Sequence, residues 1–189
     1  MPAKNKITVP DSVTSIADNA LKAGKATSVY LGKKVKMIGK DAIAGKKITK
    51  VSIAKKNKSI AKQGQCVYEK KSGKLLIAIA KKNVVKIGNK VKLISEDASL
   101  CSRQLKKLDI GASVKTLQGA WGEFYRAGYV TTKVYFRSKN PPKLTQNNDK
   151  NYCYLPIFRD VYVPKASLKK YKKWYKKNDA LQFARIKTF

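Results

Sequence analysis

"VYLGKKVKMIGKDA", residues 29–42, returns as "VKIGNKVKLISEDA", residues 85–98. Both lines read V-x-[LI]-G-x-K-V-K-[ML]-I-x-x-D-A. Weaker copies stand at 7–20, "ITVPDSVTSIADNA", and at 108–121, "LDIGASVKTLQGAW". A unit this short cannot bury an apolar face alone, so the repetition predicts a stack of like units that share one core.

Each copy opens on apolar–x–apolar, the two-residue period of a strand. Seven such rungs can be read, near 7–9, 29–31, 51–53, 85–87, 108–110, 134–136 and 161–163. The steps between their second apolar residues are 22, 22, 34, 23, 26 and 27 residues, a leucine-rich-repeat period with insertions where the step lengthens. Pro10, Gly32, Gly88 and Gly111 mark a turn after the strand. Ala20, Ala42 and Ala98 follow Ile16, Ile38 and Ile94 by four residues, which predicts one tight helical turn there.

Three stretches depart from the repeat. "CVYEKKSGKLLIAIAK", 66–81, reads as a β-hairpin inserted into the solenoid and accounts for most of the 34-residue step. Residues 138–160, rich in Pro and Asn, read as a long loop. In the tail, Leu168, Tyr171, Trp174 and Tyr175 share one helix face with Ser167 as N-cap, which predicts a C-terminal cap over 165–189. The expected fold is a single domain over 1–189: an α/β repeat solenoid of short parallel strands at a period of 22–27 residues, with a hairpin insertion and a helical cap.

The chain carries 43 Lys and Arg against 11 Asp and Glu, a formal charge of +32, yet 43% of its residues are hydrophobic. That combination predicts a folded chain that favours polyanions or acidic partners. It has no histidine, which excludes Ser–His and Cys–His catalysis and histidine metal sites. Cys66, Cys101 and Cys153 are widely spaced and odd in number, the pattern of buried free thiols rather than a metal ribbon. Asp18, Asp41 and Asp97 sit in turn-like positions suited to backbone hydrogen bonds, and Glu96 with Asp97 supplies too few oxygens for calcium. No enzyme activity, cofactor or metal is expected. Asn57-Lys58-Ser59 has the form of a glycosylation acceptor. The longest apolar run, 75–80, is far short of the roughly 20 residues that span a bilayer, so no transmembrane segment is expected and the sequence predicts a soluble protein. "MPAKNKITVPDSV" does not read as a leader, so the chain is either cytoplasmic, a mature form or an excised domain.

If the apolar pair of each rung faces the core, the residue between them faces out. Thr8, Tyr30, Ser52, Lys86, Asp109, Tyr135 and Tyr162 then form one surface, flanked by Lys6, Lys50, Lys107, Lys133 and Arg137. Tyrosine and arginine are common binding anchors. The candidate ligand-binding residues are accordingly Tyr30, Lys86, Lys107, Lys133, Tyr135, Arg137 and Tyr162. The other lysine clusters, such as Lys33/Lys34/Lys36 and Lys55/Lys56/Lys58, read as a solvated surface.

"ITVPDSVTSIADNAL" and its echoes resemble the BspA-like leucine-rich repeats of microbial surface proteins, whose unit reads close to I-x-[IL]-P-x-S-V-x-x-I-G-x-x-A-F. The hairpin and the ending "VYVPKASLKKYK" resemble that family's interruption and cap. The chain departs from the pattern in its lysine content and in Leu21, Ile43 and Ser99, which stand where the phenylalanine would follow the alanine. The resemblance implies an extracellular or cell-surface, adhesin-like module that binds a host or matrix protein or an anionic glycan, as a monomer. Two other readings stay open: a generic polyanion binder, taking nucleic acid, glycosaminoglycan or wall polymer without specificity, and a scaffold segment of a larger surface protein.

Overall fold

The computed structural model describes residues 5–21, 25–45, 47–102, 104–119, 133–145, 159–178 and 184–189. The chain is a β-solenoid with one α-helix, Leu168–Lys177, among the described residues. Its principal strands run parallel in two sheets. The first holds Lys6–Val9, Ser28–Leu31 and Lys50–Ile53; the second holds Val84–Ile87, Lys107–Ile110, Lys133–Phe136, Asp160–Val163 and Arg185–Thr188, in that order. Each apolar pair points inward: Val29, Leu31, Val51, Val85, Leu108, Val134, Val161 and Val163 are all buried. Gly32 closes its turn against the previous rung, where an added Cβ would lie 2.4 Å from the Pro10 carbonyl oxygen. No helix is long and apolar enough to cross a membrane among the described residues.

The predicted helical turn after each rung is not formed. Ile16, Ile38 and Ile94 lie instead in a second set of short parallel strands, Ser15–Ile16 beside Met37–Ile38, and Leu93–Ser95 beside Thr116–Gln118 and Lys143–Thr145. The chain then turns through positive φ at Asn19 (57°) and Asp41 (52°). A left-handed residue at that point ends any right-handed helical run, and Asn and Asp tolerate it best after Gly. Lys143–Thr145 also corrects the reading of 138–160 as loop throughout; 146–158, with Cys153, lie outside the described residues.

The hairpin is a partition rather than a surface decoration. Cys66–Glu69 pairs antiparallel with Ile60–Gln63 on one side and with Leu75–Ile79 on the other, and Leu75–Ile79 pairs parallel with Ser99–Cys101. All five residues of Leu75–Ile79 are buried, as a strand covered on both faces requires. Two cores result. Leu76, Ile77 and Ile79 pack with Leu31, Ile43 and Val51, whereas Leu75, Ala78 and Cys66 pack with Val85, Leu108 and the later rungs. Ile43 and Ser99, which stand at two of the replaced phenylalanine positions, meet at this wall. The Ile43 N–H donates to Ser99 Oγ at 3.3 Å, and the Cys101 thiol donates to the Ile43 carbonyl at 2.9 Å.

The helix closes the far end through the face read from sequence. Tyr171 and Tyr175 are fully buried, and Phe136 packs against Tyr171 and Trp174 with ring centroids 5.4 and 5.9 Å apart. Ser167 is buried but makes no capping hydrogen bond, because a 3-10 turn, Lys165–Ser167, precedes the helix and leaves Ser167 in right-handed helical geometry. The tail is not wholly a helical cap: Arg185–Thr188 returns to the sheet beside Asp160–Val163 as an eighth rung.

Candidate functional site

Parallel register places the outward residues of successive rungs side by side. Lys86, Asp109, Tyr135, Tyr162 and Lys187 form one row across the second sheet. The Tyr135 and Tyr162 rings stack at 4.4 Å with 7° between their planes. Lys107 Nζ lies 4.1 Å from the Tyr135 centroid, and Lys187 Nζ lies 5.7 Å from that of Tyr162. Arg137 sits over both Tyr135 and Phe189, at 5.2 and 4.5 Å. Cations held near ring faces gain from the ring quadrupole, by about 0.5–1 kcal/mol where exposed.

Carboxylates fix these cations. Arg137 donates to both Asp109 oxygens at 2.7 Å each, a two-point pairing that a planar guanidinium favours, and Lys107 Nζ lies 3.9 Å from Asp109. The hydrogen bond to Asp109 raises the Arg137 pKa further, so its charge is permanent. Asp160 takes Arg185 at 2.8 Å and Lys187 at 3.2 Å, and these partners, Arg185 first, hold its carboxyl below the usual range.

The row therefore offers ring edges and cations rather than ring faces. Tyr162 stacks on the Tyr135 ring and Lys107 lies over it, which leaves little face for a sugar to stack on. The Tyr135 and Tyr162 hydroxyls make no hydrogen bond among the described residues. Exposed Lys86 stands in register with Asp109, and exposed Lys133 with Lys107. Tyr30 is not brought to this row. It lies in the first sheet between Thr8 and Ser52, with Lys6 Nζ 5.5 Å from its ring.

A model of the BspA type leucine rich repeat region matches residues 3–121 in six copies. The chain belongs to this family. The BspA-type match ends at 121, before the strands that carry Tyr135 and Tyr162. A solved structure titled "The Crystal structure of Pneumococcal vaccine antigen PcpA" aligns over 98% of this chain and 68% of that one, at 13% identity and a TM-score of 0.46. No curated protein matches.

Beside six of the seven candidate residues, all but Tyr30, the second sheet brings in Asp160, Arg185, Lys187 and Phe189, which the sequence reading assigned to loop and cap. One signal was available: Ala184-Arg185-Ile186 has the apolar–x–apolar form, but the rung it announces closes on Thr188 rather than a core aliphatic. Other sequence candidates resolve structurally. Asp18 Oδ1 accepts from the Lys40 N–H one rung on, at 2.8 Å, and Asp97 pairs with Lys74 at 2.6 Å. Asn57 is 3% exposed; its amide donates to the Gly32 and Val35 carbonyls and accepts from the Ser59 and Ile60 N–H groups, so it is closed to a glycan in the folded protein. Burial pushes the Cys66 and Cys101 thiols up to about 11 and about 12. They lie in different cores and are free.

Proposed function

We propose that the protein is a non-enzymatic binding module of the cell surface, adhesin-like, that docks an acidic face of a host or matrix protein, or an anionic glycan, on its second sheet. The observation that carries this reading is the row Lys86–Asp109–Tyr135–Tyr162–Lys187, where stacked rings and carboxylates hold Lys107, Arg137 and Lys187 in fixed positions. A preordered set of donors loses little side-chain entropy on binding, and the hydroxyls of the half-buried tyrosines add directional contacts. The family to which the chain belongs supports the surface location.

A second reading rests on the +32 charge itself: polyanion binding by lysines spread over the whole surface. Such binding weakens steeply with salt, because it is driven by counterion release. The test is a panel of heparin, DNA, an anionic wall polymer, fibronectin and fibrinogen at low and physiological salt, with the wild type and Tyr30→Ala/Tyr135→Ala/Tyr162→Ala. The proposal expects one ligand to survive physiological salt and to lose at least about ten-fold in affinity with the triple variant. Binding to every polyanion that salt abolishes and the variant leaves alone would favour the second reading.

A further inference from the structure

The partition leaves two sheet edges facing each other, and they are finished differently. On Val84–Ile87 the outer edge is closed by groups from the hairpin side. The Val84 N–H donates to the Lys81 carbonyl at 3.0 Å, and the Val84 carbonyl accepts from Gln65 Nε2 at 2.7 Å. The Lys86 N–H donates to Gln65 Oε1 at 2.7 Å, and the Cys66 thiol donates to the Lys86 carbonyl at 3.4 Å. The Gln65 side-chain amide thus stands in for the peptide group of a missing strand.

The edge of Lys50–Ile53 has no such closure. The Ala54 N–H donates back to the Leu31 carbonyl of the preceding rung at 2.9 Å, and the pleat alternates direction at each residue. Lys50, Ser52 and Ala54 therefore address their sheet partner, while the N–H and C=O of Val51 and Ile53 point the other way. No strand among the described residues pairs with that side. A side chain reaches it instead: Lys62 Nζ donates to the Val51 carbonyl at 2.9 Å. Beside it runs an open groove between this strand and Ile60–Gln63, lined by Lys50, Lys55, Lys62 and Lys70 and by no carboxylate.

We propose that this groove is a second binding site, distinct from the tyrosine row, and that it takes an extended acidic segment of a partner protein by strand addition to Lys50–Ile53. An unpaired edge supplies main-chain donors and acceptors at every second residue, which is what an added strand uses; Ile53 is half-buried, and Val51, fully buried, becomes reachable only when Lys62 moves away. Lys62 acts as a latch: its ammonium leaves the Val51 carbonyl to the incoming N–H and pairs with a carboxylate of the guest. The four lysines select an acidic guest, and the same charge repels a second copy of a chain at +32.

The test uses the intact protein at physiological salt and two labelled peptides of equal length and charge. One alternates Glu with Val; in the other each Val is replaced by Pro and each remaining peptide nitrogen is methylated, which removes the N–H groups of both strand edges but keeps every carboxylate. Binding is measured together with amide exchange at Val51 and Ile53. The proposal expects the Val peptide to bind at least about ten-fold tighter than the Pro peptide, and to slow exchange at both amides by about ten-fold or more. It expects Tyr135→Ala/Tyr162→Ala to leave this binding unchanged, so its outcome is separate from that of the tyrosine row. Equal affinity for the two peptides, unchanged exchange at Val51 and Ile53, or no binding of either would overturn it.

Discussion

The two halves of the solenoid share one backbone plan and carry different chemistry. The first sheet steps at a uniform 22 residues, and its outward residues, Thr8, Tyr30 and Ser52, are small apart from one ring. Its rungs are tied by polar side chains working between turns: Asp11 Oδ1 accepts from the Lys33 N–H, and Asp18 Oδ1 from the Lys40 N–H, both at 2.8 Å and both across 22 residues. The second sheet steps unevenly, and its outward row is a network of rings, cations and carboxylates. Regular spacing makes scaffold, because each unit must fit its neighbours on both sides. The less regular half can vary its outward residues while the buried Val and Ile ladder stays constant.

Removing the polar staple of the first half has the largest expected effect on stability. Asn57→Ala strips four hydrogen bonds from a buried amide and leaves two carbonyls and two N–H groups without it, a loss of at least about 3 kcal/mol in denaturant unfolding. A loss below about 1 kcal/mol would show that water or relaxation replaces the staple.

In the cap of the second half, two neighbouring tyrosines have opposite expected signs. The Tyr171 hydroxyl donates to the Ser138 carbonyl at 3.1 Å, so Tyr171→Phe destabilises by about 1 kcal/mol. The buried Tyr175 hydroxyl has no partner among the described residues, so Tyr175→Phe stabilises by about 1 kcal/mol. Thermal melts of the two variants check the pair, and a loss of stability in Tyr175→Phe would mean that its hydroxyl is satisfied in solution.

A smaller effect is read by pH in the second half. Asp160 has its pKa lowered by Arg185 and Lys187, so its stabilising contribution is full above the unfolded value near 3.8 and fades as acid protonates the folded carboxyl below it. Asp160→Asn removes this part of the acid limb, so the stability difference between wild type and variant shrinks as pH falls below about 4. A difference independent of pH would assign the effect to packing.

The rungs, the hairpin strands and the cap helix were legible in the sequence because each depends on burying an apolar pattern: Val29/Leu31, Leu75–Ile79, and Tyr171 with Tyr175. What the apolar pattern does not encode was missed. The turns after Ile16 and Ile38 depend on left-handed backbone at Asn19 and Asp41, which the i, i+4 spacing of the alanines imitates without specifying. The eighth rung lacks a core residue at Thr188. The partitioning role of the hairpin follows from which face of Leu75–Ile79 meets which rung, a tertiary fact. On the candidate surface, Lys107, Tyr135, Arg137 and Tyr162 could be placed by counting in twos, but Tyr30 could not be separated from them, since nothing local says that the sheet breaks after Ile53.

The most direct measurement divides the triple variant along that break. With the ligand that the wild type binds at physiological salt, affinity is compared for Tyr30→Ala and for Tyr135→Ala/Tyr162→Ala, each first shown to melt as the wild type does. The account predicts a loss of at least about ten-fold for the second-sheet pair and less than about two-fold for Tyr30→Ala. An equal loss in both, or a loss confined to Tyr30→Ala, would contradict the assignment of binding to the second half.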